Sequence, residues 1–323
     1  MSSTKFAIGC LVQWYEIDII KDYINSLKDS IALYDGEVLI DMMLVLNQDL
    51  EKTSLSESEF SKIEENIFAM FHGIQRVNSN CLVLVNSTES LHTIADYRRK
   101  FNDKYCNNTD VLIWGESDML VPKQLFIVLD SLHQSQSNQT PKYIATFAGC
   151  KMWDESWKAL EHPEFTNFKH SDSKNDWWSL NYDMSIEEMN KFNDNVSELE
   201  VNIISPHKFN GCGLVISSEV IKSGVNIPKS AFFVHEDTAF MLMTQKVLGN
   251  IPQYHFKNIL LVHNRKHKDK RNHIINETGN TVGQKRNSNK WYILANQMCE
   301  QNVYNMFNPN YKSLTWEDVW KSI

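Results

Sequence analysis

The chain has 323 residues, 42% of them hydrophobic and 22% charged, enough apolar material for one large α/β domain or two small ones. Its formal net charge of -8 argues against a general affinity for polyanions, while leaving room for a local basic groove. The six cysteines (Cys10, Cys81, Cys106, Cys150, Cys212 and Cys299) form no CxxC pair, so reduced thiols and a cytoplasmic location are expected. The N-terminus lacks a signal-peptide pattern, and no apolar stretch reaches the roughly 18 residues of a bilayer span.

Residues 6–13 form a compact apolar run that ends in Gln13-Trp14-Tyr15-Glu16 and reads as a buried strand. After it, Ile19, Ile20, Tyr23, Ile24, Leu27 and Ile31 recur at helical spacing with charges on the other face, which predicts an amphipathic helix. A second buried strand is expected over 38–46, a polar helix over 56–71 and a strand over 81–85. A helix over 90–104 leads to an apolar strand over 110–114, which stops at Gly115-Glu116-Ser117-Asp118. A helix over 123–132, a Ser/Gln-rich loop and a strand over 143–147 follow. This alternation is the signature of an α/β domain with a largely parallel sheet. In such sheets ligands gather at the carboxyl ends of strands, and both acidic strand ends lie there.

Between 150 and 200 the periodicity fails in a polar, Trp-rich segment, apart from a short helix over 185–193. Order returns at Ile203-Ile204, at the run LVISSEVI, at a helix beginning near Asp237 and at a strand NILLVHN. The stretch 265–287 is charged and aperiodic, which reads as a mobile loop, and a helix over 289–303 is expected near the end.

Four constellations could carry chemistry. Glu116-Ser117-Asp118 places two carboxylates at a strand tip, suited to a hard cation that bridges to a diphosphate; an ordinary acidic turn is the plain alternative. Glu236 and Asp237 open a helix, where they could cap it or serve as a general base. Asn210-Gly211-Cys212-Gly213 precedes an apolar strand and allows close backbone approach. His263, at a strand end, is a candidate third metal ligand.

Taken in order, these features resemble the GT-A glycosyltransferases, most of all the large family 2 group of inverting enzymes. The opening WYEIDIIKDYINSL has the shape of that group's strand, Tyr-Asn-Glu and helix without the Asn; its D-x-D becomes Glu116-Ser117-Asp118; its Glu-Asp pair matches Glu236-Asp237. The resemblance implies an α/β GT-A fold with a mostly parallel central sheet flanked by helices. It implies a divalent cation, Mn²⁺ or Mg²⁺, held by Asp118, Glu116 and His263. Asp237 would be the base and Glu236 would orient the acceptor. Gln13, Tyr15, Glu16, Asp96 and Arg99 would bind the donor nucleotide, although Arg98 and Arg99 also read as a solvated helix face. Trp177, Trp178, Asn210 and Gly211 would bind the acceptor.

The expected organisation is a catalytic domain over 1–263 with an acceptor-side insertion near 150–200, then a loop and a C-terminal helix over 264–323 packing on it. The expected donor is a UDP- or GDP-sugar and the acceptor a glycan, a lipid-linked group or a nucleic acid. Alternatives are a viral-type enzyme that glycosylates DNA bases and a non-catalytic nucleotide-sugar-binding module. A nucleotidyltransferase ranks lower, because VQWYEID lacks the Gly and Lys of a phosphate loop.

Overall fold

All eight residues of the run FAIGCLVQ are buried, as a strand covered on both faces by helices must be. The computed structural model describes residues 3–13, 16, 20–45, 57–88, 92–137, 139–148, 150–151, 159–160, 184–204, 209, 211–264 and 290–323. The chain opens with β1 (Phe6–Gln13), α1 (Ile20–Ala32), β2 (Val38–Val45), α2 (Glu57–Val77), β3 (Cys81–Thr88), α3 (Ile94–Tyr105) and β4 (Val111–Glu116). It continues through β5 (Met119–Leu120), α4 (Leu125–Gln136), β6 (Ile144–Ala148), β7 (Cys150–Lys151), β8 (Ala159–Leu160), α5 (Ile186–Asp194), β9 (Val201–Ile204), β10 (Leu214–Ser217) and α6 (Ser218–Lys222). Then come α7 (Glu236–Leu248), β11 (Gln253–Leu260) and β12 (Val262–His263), with helices Lys290–Asn305 and Trp316–Lys321 at the end.

Eight strands form one sheet in the order β3-β2-β1-β4-β10-β6-β11-β9. β1, β2, β3 and β4 run parallel, β10 runs against both β4 and β6, β11 runs with β6, and β9 runs against β11. This mixed, mostly parallel sheet flanked by helices is the architecture expected of the GT-A resemblance. The chain moves outward from β1 through β2 to β3 and then returns to place β4 on the other side of β1. The strand order therefore reverses between β1 and β4, the position at whose carboxyl ends ligands gather in open α/β sheets.

Alternation along β1 assigns the two faces of the sheet. Phe6, Ile8, Cys10 and Val12 join Tyr23, Leu27, Ile67 and Phe126 in one core layer. Ala7 and Leu11 join Tyr97, Phe101, Trp114 and Phe240 in the other. Each fully buried Leu- or Phe-sized side chain contributes roughly 1.5–3 kcal/mol, so the two layers hold the sheet, and with it the strand ends, in place. The helix Lys290–Asn305 buries Ala295, Met298 and Cys299 beside Phe232 and Phe233, with Val319 joining them.

Several elements differ from their sequence-based bounds. α2 reaches Val77 because the buried stripe Ile67, Phe71, Ile74 carries on past residue 71. α3 starts at Ile94, where the Thr93 hydroxyl accepts a hydrogen bond from Asp96 N at 3.2 Å and caps the helix. The run NILLVHN contributes to two strands, β11 and β12. The final helix Trp316–Lys321 carries a capping box between Thr315 and Asp318. Among the described residues no helix is long and apolar enough to cross a membrane, and the cysteines Cys10, Cys81, Cys106, Cys212 and Cys299 are free and buried. The stretch 265–289 lies outside the described residues.

Candidate active site

The site grows from the end of β4. Glu116 is the last residue of that strand, and Ser117-Asp118 forms the turn into β5. β5 pairs antiparallel with β12, Met119 opposite His263, and Asn264 N donates to the Asp118 carbonyl at 2.8 Å. This small ribbon fastens His263 beside both acids. His263 Nε2 lies 3.2 Å from Asp118 Oδ2 and 3.4 Å from Glu116 Oε2.

A second set arrives because β10 runs against β4. Its amino end therefore meets the carboxyl end of β4, and Gly213 N donates to the Trp114 carbonyl at 2.9 Å. Gly213 has φ +67°, a backbone region that a residue without Cβ adopts at no steric cost. The turn 211–213 thus sits against Glu116. Across it lies the start of α7, with His235 as the left-handed N-cap residue. Asp237 Oδ2 accepts from Gly211 N at 3.0 Å, and its Oδ1 accepts from Thr238 N at 2.7 Å. Both acids sit in the first helical turn, where the macrodipole favours negative charge.

Arg98 joins the two sets. On α3 the residues Ala95, Arg98, Asn102 and Tyr105 are all buried, a stripe at helical spacing. Arg98 Nη1 meets Glu236 Oε1 at 2.5 Å and Nη2 meets Glu116 Oε1 at 2.7 Å. Its Cζ lies 4.8 Å from the centre of the Trp114 ring, a cation–π stack. Trp114 is itself fixed by donating to Asn102 Oδ1 at 2.9 Å. A Cβ at position 211 would lie 2.2 Å from Arg98 Nη1, so any larger residue there requires the guanidinium to shift.

Burial alone would pull the Arg98 pKa down, but the charges of Glu236 and Glu116 outweigh it and hold the guanidinium ionised. Burial pushes Glu236 up to about 7, against the pull of Arg98 and with a further push from Asp237. The arrangement is one buried cation shared between two carboxylates, with the charge of Asp237 close by. Glu116 divides its oxygens, Oε1 to Arg98 and Oε2 toward His263.

The residues expected from sequence distribute as follows. Glu116, Asp118 and His263 come together, and Glu236, Asp237 and Gly211 lie across Arg98 from them. Gln13 and Glu16 stand at the end of β1, where Gln13 N donates to Glu16 Oε2 at 3.0 Å and Gln13 Nε2 to the His92 carbonyl at 3.3 Å. Asp96 and Arg99 turn to each other at 2.5 Å, and Arg99 also donates to the carbonyls of Ile227, Pro228 and Ala231, so this pair braces the loop that precedes α7. Tyr15, Trp177, Trp178 and Asn210 lie outside the described residues. The solvated helix face expected for Arg98 is corrected: it is 2% exposed, because two carboxylates and an indole enclose it. Its helical phase with Ala95 and Asn102 was the available signal.

The donor chemistry fits a divalent cation. Glu116 at the end of β4 and Asp118 in the turn after it each lie beside His263 of β12, and oxygen with imidazole ligands suits metals of the manganese type. Cys212 belongs to the same place: its sulfur, a Glu116 oxygen and a His263 ring nitrogen all lie within 4.8 Å of one another.

No protein-family model and no curated protein matches the sequence. Among solved structures the chain is similar to S. aureus TarS 1-349, at 11% identity and a TM-score of 0.47, covering 98% of this chain and 78% of that one. It is similar to glucosyl-3-phosphoglycerate synthase from Mycobacterium tuberculosis, solved with Mn²⁺, UDP and glucosyl-3-phosphoglycerate, at 12% identity and a TM-score of 0.42, covering 84% and 76%. A UDP-glucose pyrophosphorylase complexed with UDP-glucose matches at 10% identity and a TM-score of 0.38, covering 78% and 90%.

Proposed function

We propose that the chain is a divalent-cation-dependent glycosyltransferase that moves a sugar from a UDP- or GDP-sugar to an acceptor hydroxyl with inversion. The carrying observation is the grouping of Glu116, Asp118 and His263 on one side of Arg98 and of Glu236 and Asp237 on the other. A site with a cation-holding edge and a separate carboxylate edge, joined by a buried arginine, suits a substrate with a diphosphate at one end and a nucleophilic hydroxyl at the other.

Asp118, Glu116 and His263 would hold Mn²⁺ or Mg²⁺. Such a cation, when bound, neutralises charge developing on the departing diphosphate. Gln13 and Glu16, at the end of β1, would line the nucleotide side. Asp237 takes the proton of the acceptor hydroxyl as its oxygen bonds to the anomeric carbon. The bond from that carbon to the diphosphate oxygen breaks, and its electron pair leaves with the nucleoside diphosphate. Glu236, held by Arg98, orients the acceptor. Backbone N–H groups of Gly211 and Thr238 fix the Asp237 carboxylate, and this holds the base in one orientation. A glycan or lipid-linked acceptor suits this reading better than a nucleic acid, given the net charge of -8.

The test is release of nucleoside diphosphate from a panel of nucleotide sugars by the full chain with Mn²⁺, with and without acceptors. Turnover of at least one donor is expected. Asp237→Asn keeps an acceptor oxygen for Gly211 N but loses basicity, so turnover should fall about 10²–10⁴-fold while donor affinity stays the same. Donor binding without turnover across the panel would leave a binding module instead.

A further inference from the structure

We infer that Cys212 is a ligand of the cation site and that the site therefore selects borderline, thiophilic divalent cations such as Zn²⁺ or Co²⁺ over Mg²⁺. The inference rests on reading Glu116 and His263 as cation ligands, and it adds a soft sulfur donor to them.

Three observations carry it. The first is convergence: the Cys212 sulfur, a Glu116 oxygen and a His263 nitrogen lie within 4.8 Å of one another. Tetrahedral bonds of ~2.0–2.3 Å put neighbouring ligand atoms roughly 3.5 Å apart. The His263–Glu116 pair, at 3.4 Å, already has that spacing. The sulfur has little more than roughly 1 Å to close on the same standard.

The second is construction. Cys212 stands between two glycines at the start of β10, and the Gly213 N bond to the Trp114 carbonyl holds that turn against the end of β4. Glu116 comes from β4 and His263 from β12. Two strands and the turn before a third thus each deliver one donor of different chemistry, and His263 is fastened independently by the pairing of β12 with β5.

The third is contrast with the other buried thiols. Cys81 lies among apolar neighbours in the core, where a cysteine behaves as a small hydrophobe, and Cys10, although the charges of Glu116 and Asp118 reach it, joins no ligand-spaced group among the described residues. Cys212 borders the same core yet has an imidazole and a carboxylate at its sulfur.

A thiolate is a soft ligand and an imidazole an intermediate one; together they favour zinc-like ions, whereas Mg²⁺ requires oxygen donors and retains water. Binding would release the thiol proton to solvent as the sulfur–metal bond forms.

Cobalt(II) titration of the full chain reads the ligand directly. Wild type should develop a sulfur-to-cobalt charge-transfer band in the near ultraviolet together with visible d–d bands. Cys212→Ser should keep the d–d bands and lose the charge-transfer band. Its affinity for Zn²⁺ should fall ~10–100-fold, the range typical of lost metal-site interactions, while its affinity for Mg²⁺ stays unchanged. X-ray absorption at the zinc edge of wild type, loaded with one equivalent, is independent of how the variant folds and should show sulfur at ~2.3 Å. Cobalt binding with no sulfur signature, or a signature that persists in folded Cys212→Ser, removes Cys212 as a ligand and leaves the cation site standing. If neither wild type nor a folded Cys212→Ser binds any divalent cation, including Mn²⁺, the cation site itself is overturned.

Discussion

Arg98 and Glu236 form an ion pair at 2.5 Å whose side chains are only 3% and 8% exposed. The two residues are 138 positions apart in sequence, and the pair closes the space between α3 and the start of α7. Removing one partner of a buried pair strands the other charge and costs about 3–5 kcal/mol. Arg98→Met should therefore lower the urea midpoint by that equivalent. Arg98→Lys should recover only part of it, because an ammonium lacks the planar fork that spans Glu236 and Glu116 together. Equal stability of the Lys variant and wild type would show that the fork is not needed.

Gly211→Ala places a methyl group where the Arg98 guanidinium lies. Overpacking of this kind costs about 1–3 kcal/mol, and here the intruded group is pinned by two carboxylates. Thermal unfolding should show the loss, and turnover should fall with it as Arg98 is displaced from Glu236. An unchanged melting temperature with unchanged turnover would mean that the turn simply yields.

Asp118→Ala removes the carboxylate that faces His263 at 3.2 Å. By calorimetry, wild type should bind UDP or GDP more tightly with Mn²⁺ than without it, and the variant should lose that difference. If Mn²⁺ has no effect on nucleotide affinity in wild type, Asp118 does not hold a cation.

His255, on β11, is 2% exposed, and among the described residues neither ring nitrogen has a hydrogen-bond partner. Burial, with a smaller push from Lys257, lowers its pKa from 6.5 to about 4. The folded state thus keeps this imidazole neutral while the unfolded chain protonates it. The contribution to stability is full above pH 6.5 and is lost as pH falls toward 4, by up to about 3 kcal/mol. Urea midpoints at pH 7 and pH 4.5 should differ by less in His255→Leu than in wild type. Identical pH dependence in the two proteins would assign the acid limb to other groups.

The order of strands and helices was legible because a parallel sheet writes its strands as uninterrupted apolar runs, as in FAIGCLVQ, and its helices as 3.6-period stripes. The acids at strand ends were legible by residue type and position. Arg98 was not: Arg98 and Arg99 are adjacent, both look solvated on a helix, and only the arrival of Glu236 and Glu116 makes one of them buried. The start of β11 was hidden for a related reason. Gln253 and His255 read as surface letters, yet both are buried in a strand paired on both edges, by β6 and β9. Cys212 stood in a glycine-flanked turn, and nothing local records that a strand far along the chain sets His263 near it.

The ribbon that joins β5 to β12 also orders events during synthesis. Asp118 and Glu116 leave the ribosome long before Glu236 and His263, so a nascent chain carries half a site in which Arg98 can meet Glu116 but not yet Glu236. Contacts this distant in sequence close late and slowly, and domains of this size expose incomplete surfaces while they wait. The grouping of Glu116, Asp118 and His263 and that of Glu236 and Asp237 are therefore completed together in one late step, when the last strands dock. A nascent or truncated chain ending before β12 should accumulate without binding metal or donor, however well its first four strands have paired.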